Sequence, residues 1–503
     1  MCLRHLSIAI WGKRGKMLEF ETQSGNIYAW DDEIGISIPF SPILRAVLNT
    51  ISYHKTTSRD IIVENLKDQY NEEDIMFYYN WIKKWRSIRS QDIQNSGSLD
   101  IKSFVLRNCL LQLTLSVTED CNFRCKYCVY SDKYNNTRNQ SNKYMKSTTA
   151  KKAIDQYMSL LKEGERYNPL RSPSIAFYGG EPLLNFKLIK TCVEYIEEKY
   201  NNHSVDYILT TNGSLLDKAK AKWLVQHDFS IGVSLDGPEK VHDRNRVYSN
   251  GKGTFKDIMD NIRPIMEAGY EKLRLQAVFD WKCDLLATSE FFNRNDVPRL
   301  TLATMVSATG GSRYYDQFSN EDFIAFKKQL EWAKDCYIMN LKQPEKQQDL
   351  FLDKLFLESI ARYIFGTPSL CALSQIRPFT AACIPGRKIY VDVYGTFHMC
   401  ERIGEIFPIG NVDEGLNFDK IGNILSDYLK HMDKCPTCNV QRACDKCYQA
   451  FETVNGFSYS SKVCKGFESA RAKSLGDAFT IAEINPKVIE MVDAVSVNTK
   501  KFC

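Results

Sequence analysis

The chain has 503 residues, of which 44% are hydrophobic and 25% are charged, so it can bury more than one hydrophobic core. Its net charge is only +5, and Lys and Arg are scattered among Asp and Glu, which argues against a nucleic-acid partner. No apolar stretch is long enough to cross a bilayer and the first residues do not start a secretory signal, so we expect a cytoplasmic protein without a membrane partner.

The first hundred residues predict a hairpin followed by three helices. Two short strands, Lys16 to Phe20 and Ile27 to Trp30, flank a turn at Gly25-Asn26. The helical patterns, the second with Thr57 as its N-cap, cover Pro39 to Ile51, Arg59 to Tyr70 and Glu72 to Trp85. This order predicts a winged-helix-like module at residues 1–95, before a polar linker at Gln91 to Lys102. The module resembles the recognition element of peptide-modifying enzymes, which implies that a leader peptide adds a strand to its hairpin; the alternative is a structural cap without a ligand.

From residue 105 to residue 318, apolar runs that favour strands alternate with helical patterns. Strands are predicted near Leu111, Ser174, Val205, Ser230, Leu273 and Leu300, and helices near Thr149, Phe186, Ser214, Thr254, Cys283 and Asn320. Such alternation is typical of an α/β fold with a parallel sheet. Six units are too few for a closed eight-stranded barrel, so we expect a partial (β/α)6 barrel, similar to part of a TIM barrel, with its site at the C-terminal ends of the strands.

The first four predicted strands each end in a polar motif. In chain order the motifs are Cys121-Asn122-Phe123-Arg124-Cys125-Lys126-Tyr127-Cys128, Tyr178-Gly179-Gly180-Glu181-Pro182, Thr210-Thr211-Asn212-Gly213 and Ser234-Leu235-Asp236-Gly237-Pro238. Because the C-terminal ends of parallel strands meet at one edge of a sheet, we expect these motifs to form one site.

The three cysteines of the first motif have a spacing that suits a metal. A four-iron cluster held by three thiolates leaves one iron open to a substrate, whereas a structural zinc ion takes four protein ligands. A zinc loop, or three buried or redox-active thiols, are the alternatives.

The other motifs suit a ligand with an ammonium group, a ribose and a carboxylate. Gly179 and Gly180 let a backbone approach a ligand closely, and Glu181 could accept hydrogen bonds from the ammonium group. Ribose hydroxyls could bond to Asn212, Ser234 and Asp236, and a carboxylate could bind Arg246 in a bidentate fork. Taken singly, each motif is more often a turn or a solvated surface charge.

Together, in this order, the motifs resemble those of the radical S-adenosylmethionine (radical SAM) enzymes. In the branch of that family that modifies peptides and sulfatases, a Ser-Leu-Asp-Gly-Pro segment precedes a His-Asp pair and an arginine, as it does before His242-Asp243 and Arg246 here. The resemblance implies that Cys121, Cys125 and Cys128 hold a [4Fe-4S] cluster. It also implies that S-adenosylmethionine is contacted by Tyr127, Gly180, Ser234 and Arg246, and that the chemistry proceeds through a 5′-deoxyadenosyl radical.

Cysteines become frequent again after two predicted bridging helices, Asn320 to Asn340 and Asp349 to Ile364, which we assign to residues 319–370. A second cysteine region at 371–470 contains Cys371, Cys383, Cys400, Cys435, Cys438, Cys444, Cys447 and Cys464. One four-cysteine zinc site would leave several of these without a role.

This second cysteine series resembles the SPASM extension, which binds two auxiliary [4Fe-4S] clusters. The resemblance implies one cluster on Cys435, Cys438, Cys444 and Cys464, and another on Cys383, Cys400 and Cys447 with Cys371 as the open question. Only two residues separate Cys444 from Cys447, where the usual pattern has three. Glu401 follows Cys400 at the place where sulfatase-maturing relatives carry a catalytic acid; a surface glutamate is the alternative.

We therefore expect a radical SAM/SPASM enzyme with three [4Fe-4S] clusters that forms thioether crosslinks in a precursor peptide with a leader, as sactipeptide maturases do. Its electrons would come from a flavodoxin or ferredoxin. The alternatives are a carbon-carbon crosslinking maturase, an enzyme that matures sulfatases by making formylglycine, and a non-catalytic protein that binds zinc and peptides. No function is predicted for the tail at 471–503, which is helical to about Ile484.

Overall fold

The computed structural model describes most of the chain. The described residues are 17–32, 36–54, 58–94, 100–134, 138–307, 312–343, 349–357, 383–441 and 443–487. Thr57 and Cys371, two residues named above, lie outside them. No helix within these ranges is long and apolar enough to cross a bilayer.

The N-terminal module contains a three-stranded antiparallel sheet and three helices. The strands are β1 (Leu18–Glu21), β2 (Ile27–Asp31) and β3 (Ile36–Pro39), in that order across the sheet. The helices are α1 (Pro42–His54), α2 (Arg59–Leu66) and α3 (Glu72–Gln94). The hairpin and the number of helices agree with the sequence analysis, but strand β3 was not predicted.

The first helix was predicted to begin at Pro39, and that was wrong. It begins at Pro42, because the Ser41 hydroxyl accepts a hydrogen bond from the Leu44 N–H at 3.1 Å and proline suits the first helical position. The residues before it pair with β2, from Ile36 opposite Asp31 to Pro39 opposite Tyr28. The linker prediction was also wrong at both ends, since α3 continues to Gln94 and a new helix begins at Ile101.

The central region confirms the six predicted strands. They are β4 (Gln112–Thr118), β5 (Ser174–Gly179), β6 (Asp206–Thr211), β7 (Ser230–Ser234), β8 (Leu273–Phe279) and β9 (Leu300–Met305). Neighbours along the chain pair in parallel throughout. The first of them, β4, is buried over all but its first residue, as expected for a strand covered on both faces.

Seven helices accompany these strands in the described residues. They are α4 (Ile101–Asn108), α5 (Ser147–Gly164), α6 (Phe186–Lys199), α7 (Lys218–Gln226), α8 (Glu239–Asn245), α9 (Phe255–Glu267) and α10 (Leu285–Phe292). Helix α7 begins four residues after the predicted Ser214, because the Asp217 side chain accepts a hydrogen bond from the Lys220 N–H at 2.9 Å and caps it there.

The C-terminal region extends the same sheet, which the sequence did not indicate. After α11 (Asn320–Leu341) and a short helical segment, Leu350–Leu357, the chain adds β10 (Lys388–Val391), β11 (Thr396–His398), β12 (Pro408–Asn411) and β13 (Gly415–Leu416). Strand β10 pairs in parallel with β4, so one sheet has ten strands in the order β13-β12-β11-β10-β4-β5-β6-β7-β8-β9. The cysteine region is thereby fixed beside the first strand of the core.

The last described helices tie the two ends of the chain together. Helix α12 (Phe418–His431) is followed by a hairpin of β14 (Glu452–Thr453) and β15 (Gly456–Phe457) and then by α13 (Phe467–Ile484). Helix α13 lies against the N-terminal sheet, where Tyr28 donates a hydrogen bond to Glu483 at 2.8 Å. The tail helix is therefore a structural support for the N-terminal module.

Candidate active site

A cavity of about 460 Å³ opens at the C-terminal ends of the central strands. It brings together ten of the residues selected from the sequence. They are Cys121, Cys125, Tyr127, Cys128, Gly179, Gly180, Asn212, Ser234, Arg246 and Glu401. The strand-end motifs thus meet in space, and Glu401 joins them from the distant cysteine region.

The cysteine loop is held against the end of α8. The backbone N–H groups of Arg124 and Lys126 donate to the carbonyls of Val247 and Asn245 at 2.8 and 3.0 Å. Burial raises the pKa of the Cys125 thiol to about 12, while the charge of Arg246 lowers it. The Arg246 Nη1 atom lies 3.9 Å from the Cys125 sulfur. Its positive charge therefore stabilises the thiolate form of Cys125.

Asp236 binds two side chains at the cysteine loop, those of Tyr127 and Arg246. Its carboxylate accepts hydrogen bonds from the Tyr127 hydroxyl and from Arg246 Nε, the latter at 3.1 Å. It also accepts one from the Val278 N–H at 3.0 Å. The Arg246 guanidinium in turn lies 5.4 Å from the centre of the Tyr127 ring. Asp236 is 1% exposed and does not line the cavity, so the structure places it behind the residues that do.

Glu181 is likewise turned away from the cavity. Its carboxylate accepts hydrogen bonds from the Thr211 hydroxyl at 2.7 Å and from the N–H groups of Asn212 and Leu183 at 2.7 and 3.0 Å. Burial raises its pKa to about 6, although these donors lower it. These hydrogen bonds connect the ends of β5 and β6. The Asn212 side-chain amide also donates a hydrogen bond to Asn122 Oδ1 in the cysteine loop at 2.8 Å.

The comparisons with known proteins agree with this site. The model of the Radical SAM superfamily matches residues 115–278. An uncharacterised protein of Methanocaldococcus jannaschii is 39% identical over 311 residues, which are 60% of this chain and 88% of that protein. The chain belongs to the radical SAM superfamily. A cysteine-type anaerobic sulfatase-maturating enzyme of Clostridium novyi is 25% identical over 354 residues, which are 67% of this chain and 86% of that enzyme.

A solved structure shares the fold. Native anSMEcpe with bound AdoMet and Cp18Cys peptide has a TM-score of 0.53 and 18% identity, with 76% of this chain and 99% of that chain covered. The chain thus shares its fold with that structure, and its sequence is similar to that of a sulfatase-maturating enzyme. As a radical SAM enzyme it uses S-adenosylmethionine and a [4Fe-4S] cluster.

The residues around the radical SAM cavity fit these two groups. Three half-buried thiols lie on one loop at the cavity wall, with a guanidinium 3.9 Å from the middle one. The adjoining glycine pair lets the end of β5 approach the backbone after β4 closely, because a Cβ on Gly179 or Gly180 would overlap the backbone of Thr118 or Asp120. Gly179 also has a φ of +143°, a conformation that favours glycine.

The cavity includes residues that the sequence analysis missed. Lys388, Arg402 and Gln449 also line it. Tyr178, which belongs to the strand-end motif quoted above, lines it as well. Lys388 could not have been found from the sequence, because it reaches the cavity only through the pairing of β10 with β4.

Glu401 lines the cavity beside the Lys388 cation, and a second cation, Arg402, follows it in the chain. Its carboxylate is 3.4 Å from the Lys388 ammonium, and its side chain is 20% exposed. Burial would raise the pKa of Glu401, but the charges of Lys388 and Arg402 outweigh burial and hold it below its usual value. The carboxylate is therefore ionised at neutral pH and able to accept a proton.

Cysteines of the C-terminal region affect one another's pKa values within two sets. Burial raises the pKa of Cys444 to about 12, and the nearby Cys435 and Cys438 thiols add to the rise. Cys464 affects Cys435 and Cys438 in the same way. In the other group, Cys447 raises the pKa of Cys400, and Cys383 raises that of Cys447. Within the described residues, no three His, Cys, Asp or Glu side chains converge closely enough to hold a single metal ion.

We expect Asp236→Asn to lower the free energy of unfolding by about 3 kcal/mol, because it leaves the buried Arg246 charge without its carboxylate. Chemical denaturation of the apoprotein measures this. Asp260→Asn is the control, since it breaks an exposed ion pair with Arg263 at 3.5 Å and should cost less than about 0.5 kcal/mol. Equal stability of the two variants would contradict the supporting role of Asp236.

We expect Gly180→Ala to weaken S-adenosylmethionine binding at least about tenfold, because the backbone must shift at a cost of about 1–3 kcal/mol. The shift would move Asp120, which leads directly into the cysteine loop. Isothermal titration of the reconstituted enzyme checks the affinity. Gly422→Ala in α12 is the control, because its Cβ would make an ordinary contact with Ile101 at 3.7 Å.

Proposed function

We propose that this enzyme matures a ribosomally synthesised, cysteine-containing precursor peptide by joining a cysteine sulfur to a carbon of the same peptide. The observation that carries this is the N-terminal module, whose separate three-stranded sheet lies outside the radical SAM core. The sulfatase-maturating relative matches only 67% of this chain while 86% of its own length is covered. An added module with its own sheet and hydrophobic core suits recognition of a leader.

The N-terminal sheet offers one free edge for that leader. Strand β1 lies against α13, where the carbonyl of Glu21 closely approaches Gly476. Strand β3 is the opposite edge, and among the described residues it pairs only with β2. An extended peptide could continue the sheet there through main-chain hydrogen bonds.

We assign the cavity residues to the cofactors as follows. Cys121, Cys125 and Cys128 hold the radical SAM cluster, while Tyr127, Gly179, Gly180, Asn212, Ser234 and Arg246 contact S-adenosylmethionine. Glu181 and Asp236, for which ligand contacts were predicted from the sequence, position their neighbours in our proposal. When bound, the cofactor supplies a 5′-deoxyadenosyl radical that abstracts a hydrogen atom from the substrate.

The C-terminal cysteines hold two auxiliary [4Fe-4S] clusters in this proposal. Cys435, Cys438, Cys444 and Cys464 form the distal site, and Cys383, Cys400 and Cys447 form the proximal one, with Cys371 left open as its fourth ligand. The grouping of the described thiols supports the two sets. A flavodoxin or ferredoxin supplies the electrons.

Thioether formation removes two hydrogens from the peptide, one as a hydrogen atom and one as a proton, together with one electron. We assign Glu401 as the proton acceptor, since its ionised carboxylate lies at the same cavity as the cysteine loop. Lys388 and Arg402 keep it charged.

Mass spectrometry of the product tests this function. The reconstituted enzyme is incubated with S-adenosylmethionine, dithionite and a cysteine-containing peptide fused to its leader. A thioether lowers the mass by two hydrogens and abolishes thiol alkylation. A carbon-carbon crosslink gives the same mass loss but leaves the thiol reactive, and that result would overturn the thioether assignment.

Sulfatase maturation is the second candidate, and the relatives favour it. The Clostridium novyi protein is named a sulfatase-maturating enzyme of the cysteine type. The same assay with a cysteine-containing sulfatase peptide separates the two functions, because formylglycine has lost its sulfur and reacts with a hydrazide. Leader-independent production of formylglycine would favour this second candidate.

A further inference from the structure

A buried arginine from the radical SAM core contacts the segment that carries Glu401. Arg138 is 4% exposed and lies on the chain between the cysteine loop and α5. Its Nη1 group donates a hydrogen bond to the carbonyl of Ile403 at 3.0 Å, across 265 residues of the chain. Ile403 is itself buried and follows Glu401 by two residues. The guanidinium therefore holds the turn in which Glu401 lies.

The same guanidinium contacts the strand that carries Lys388. It lies 4.7 Å from the centre of the Tyr390 ring. Because side chains two residues apart in a strand lie on the same face, Tyr390 and Lys388 share one face of β10. The Lys388 ammonium is 3.4 Å from the Glu401 carboxylate, and the Tyr390 hydroxyl is 3.3 Å from that of Tyr130, which lines the cavity. Arg138 thus contacts the elements that carry both members of the Lys388–Glu401 pair.

The burial of Arg138 is not offset by strong partners. Its Nε and Nη2 groups have no hydrogen-bond partner among the described residues. The carboxylate that pairs with it, on Glu405, is 3.7 Å away, and the Glu405 side chain is 59% exposed. An exposed carboxylate at this distance offsets little of the cost of burying a cation. Because departures from full satisfaction of buried groups are expected at functional sites, Arg138 is a candidate for a role beyond stability.

We propose that Arg138 is the positioning residue for Glu401, the group assigned above as the proton acceptor. By holding Ile403 and Tyr390, it fixes the Glu401 carboxylate at the cavity. The described residues that line the cavity do not include Arg138, so it acts through Glu401 and not by touching the substrate. The inference rests on the proposed function through the role of Glu401.

The first test compares Arg138→Met with the wild type in a single turnover. Methionine keeps much of the apolar volume and removes both the charge and the hydrogen bond to Ile403. We expect peptide modification to slow about a hundredfold, the effect of a displacement of about 1 Å, while 5′-deoxyadenosine still forms. Arg138→Lys keeps the charge and can donate to the Ile403 carbonyl, so it should recover part of the rate.

Arg171→Met is the matched control. The Arg171 guanidinium also donates to a main-chain carbonyl of a distant segment, that of Leu106 at 2.9 Å, and the described cavity lining does not include Arg171. Arg171→Met should modify the peptide at the wild-type rate. An equal loss in the two methionine variants, or a wild-type rate in Arg138→Met, would overturn the proposal.

A double variant separates positioning of Glu401 from any other role of Arg138. If Arg138 acts through Glu401, the double variant Arg138→Met/Glu401→Gln should modify the peptide at the rate of Glu401→Gln alone. Two independent effects would multiply and give a further loss of about a hundredfold. That result would assign Arg138 a general structural role and overturn the proposal.

Hydrogen-deuterium exchange of the full-length reconstituted protein tests the placement without a substrate. The Gly404 N–H donates to Glu452 at 2.9 Å, and this bond should open more often once the contact with Ile403 is lost. We expect faster exchange at residues 401–407 in Arg138→Met and unchanged exchange in β5. Unchanged exchange at 401–407 would overturn the proposal. A wild type that modified no peptide would instead refute the proposed function, and the exchange result would still decide whether Arg138 holds the turn.

Discussion

Replacing Cys121, Cys125 and Cys128 together with Ala should lower the iron content from about twelve to about eight per chain and abolish cleavage of S-adenosylmethionine. The three thiols are the only protein ligands that we assign to the radical SAM cluster, and no described neighbour replaces them at the cavity. Iron and sulfide analysis after anaerobic reconstitution, with chromatography of 5′-deoxyadenosine, measures both effects.

The control replaces Cys192 and Cys283 with Ala. Both thiols are buried in the hydrophobic core, 0% and 1% exposed, and lie outside the predicted ligand sets. This variant should keep about twelve irons and cleave S-adenosylmethionine. Zinc in place of iron in both proteins would show that the cysteines form zinc sites, and an unchanged iron content in the triple variant would contradict the ligand assignment.

Glu401→Gln should lower the rate of peptide modification about a thousandfold, within the range that general-base catalysis contributes, and leave cleavage of S-adenosylmethionine in place. The substitution keeps the size of the side chain and removes its ability to take a proton. Because Glu401 is not among the residues assigned to the cofactor, binding of S-adenosylmethionine should change little. Single-turnover assays that measure modified peptide and 5′-deoxyadenosine together separate the two effects.

The control for Glu401 is Glu405→Gln, four residues later in the same loop. Its side chain is 59% exposed and lies 3.7 Å from Arg138, so it cannot take a proton inside the cavity. Glu405→Gln should modify peptide at the wild-type rate. If Glu401→Gln lost both activities equally, its role would be to maintain the cavity, and the proton would have to leave by another group.

The core of the fold followed from the sequence because its signals are local. Each parallel strand is a short apolar run, each is followed by a helical pattern, and both periodicities can be read within about twenty residues. Glycine and cysteine at the strand ends indicated the site, since these residue types suit close backbone approach and metal binding. All six strands lie where they were predicted, and the cysteine loop lies at the cavity.

Side-chain direction within the site did not follow from the sequence. Glu181 and Asp236 were selected as ligand contacts by residue type, yet both carboxylates point into the protein and bind neighbouring strand ends. Whether a carboxylate at a strand end faces the cavity depends on which donors the adjacent strands present. That information is set by the packing of several segments and is not encoded in one motif.

The sequence by itself therefore determined the α/β core, the superfamily and the position of the cysteine loop. Only the tertiary structure decided that β10 pairs with β4, which brings Lys388 and Glu401 to the cavity, and that the N-terminal sheet rests on α13. The hydrogen bond from Gln23 to Thr480 spans 457 residues of the chain. Contacts of this kind leave no local pattern, because they depend on complementary surfaces that form only after each segment has folded.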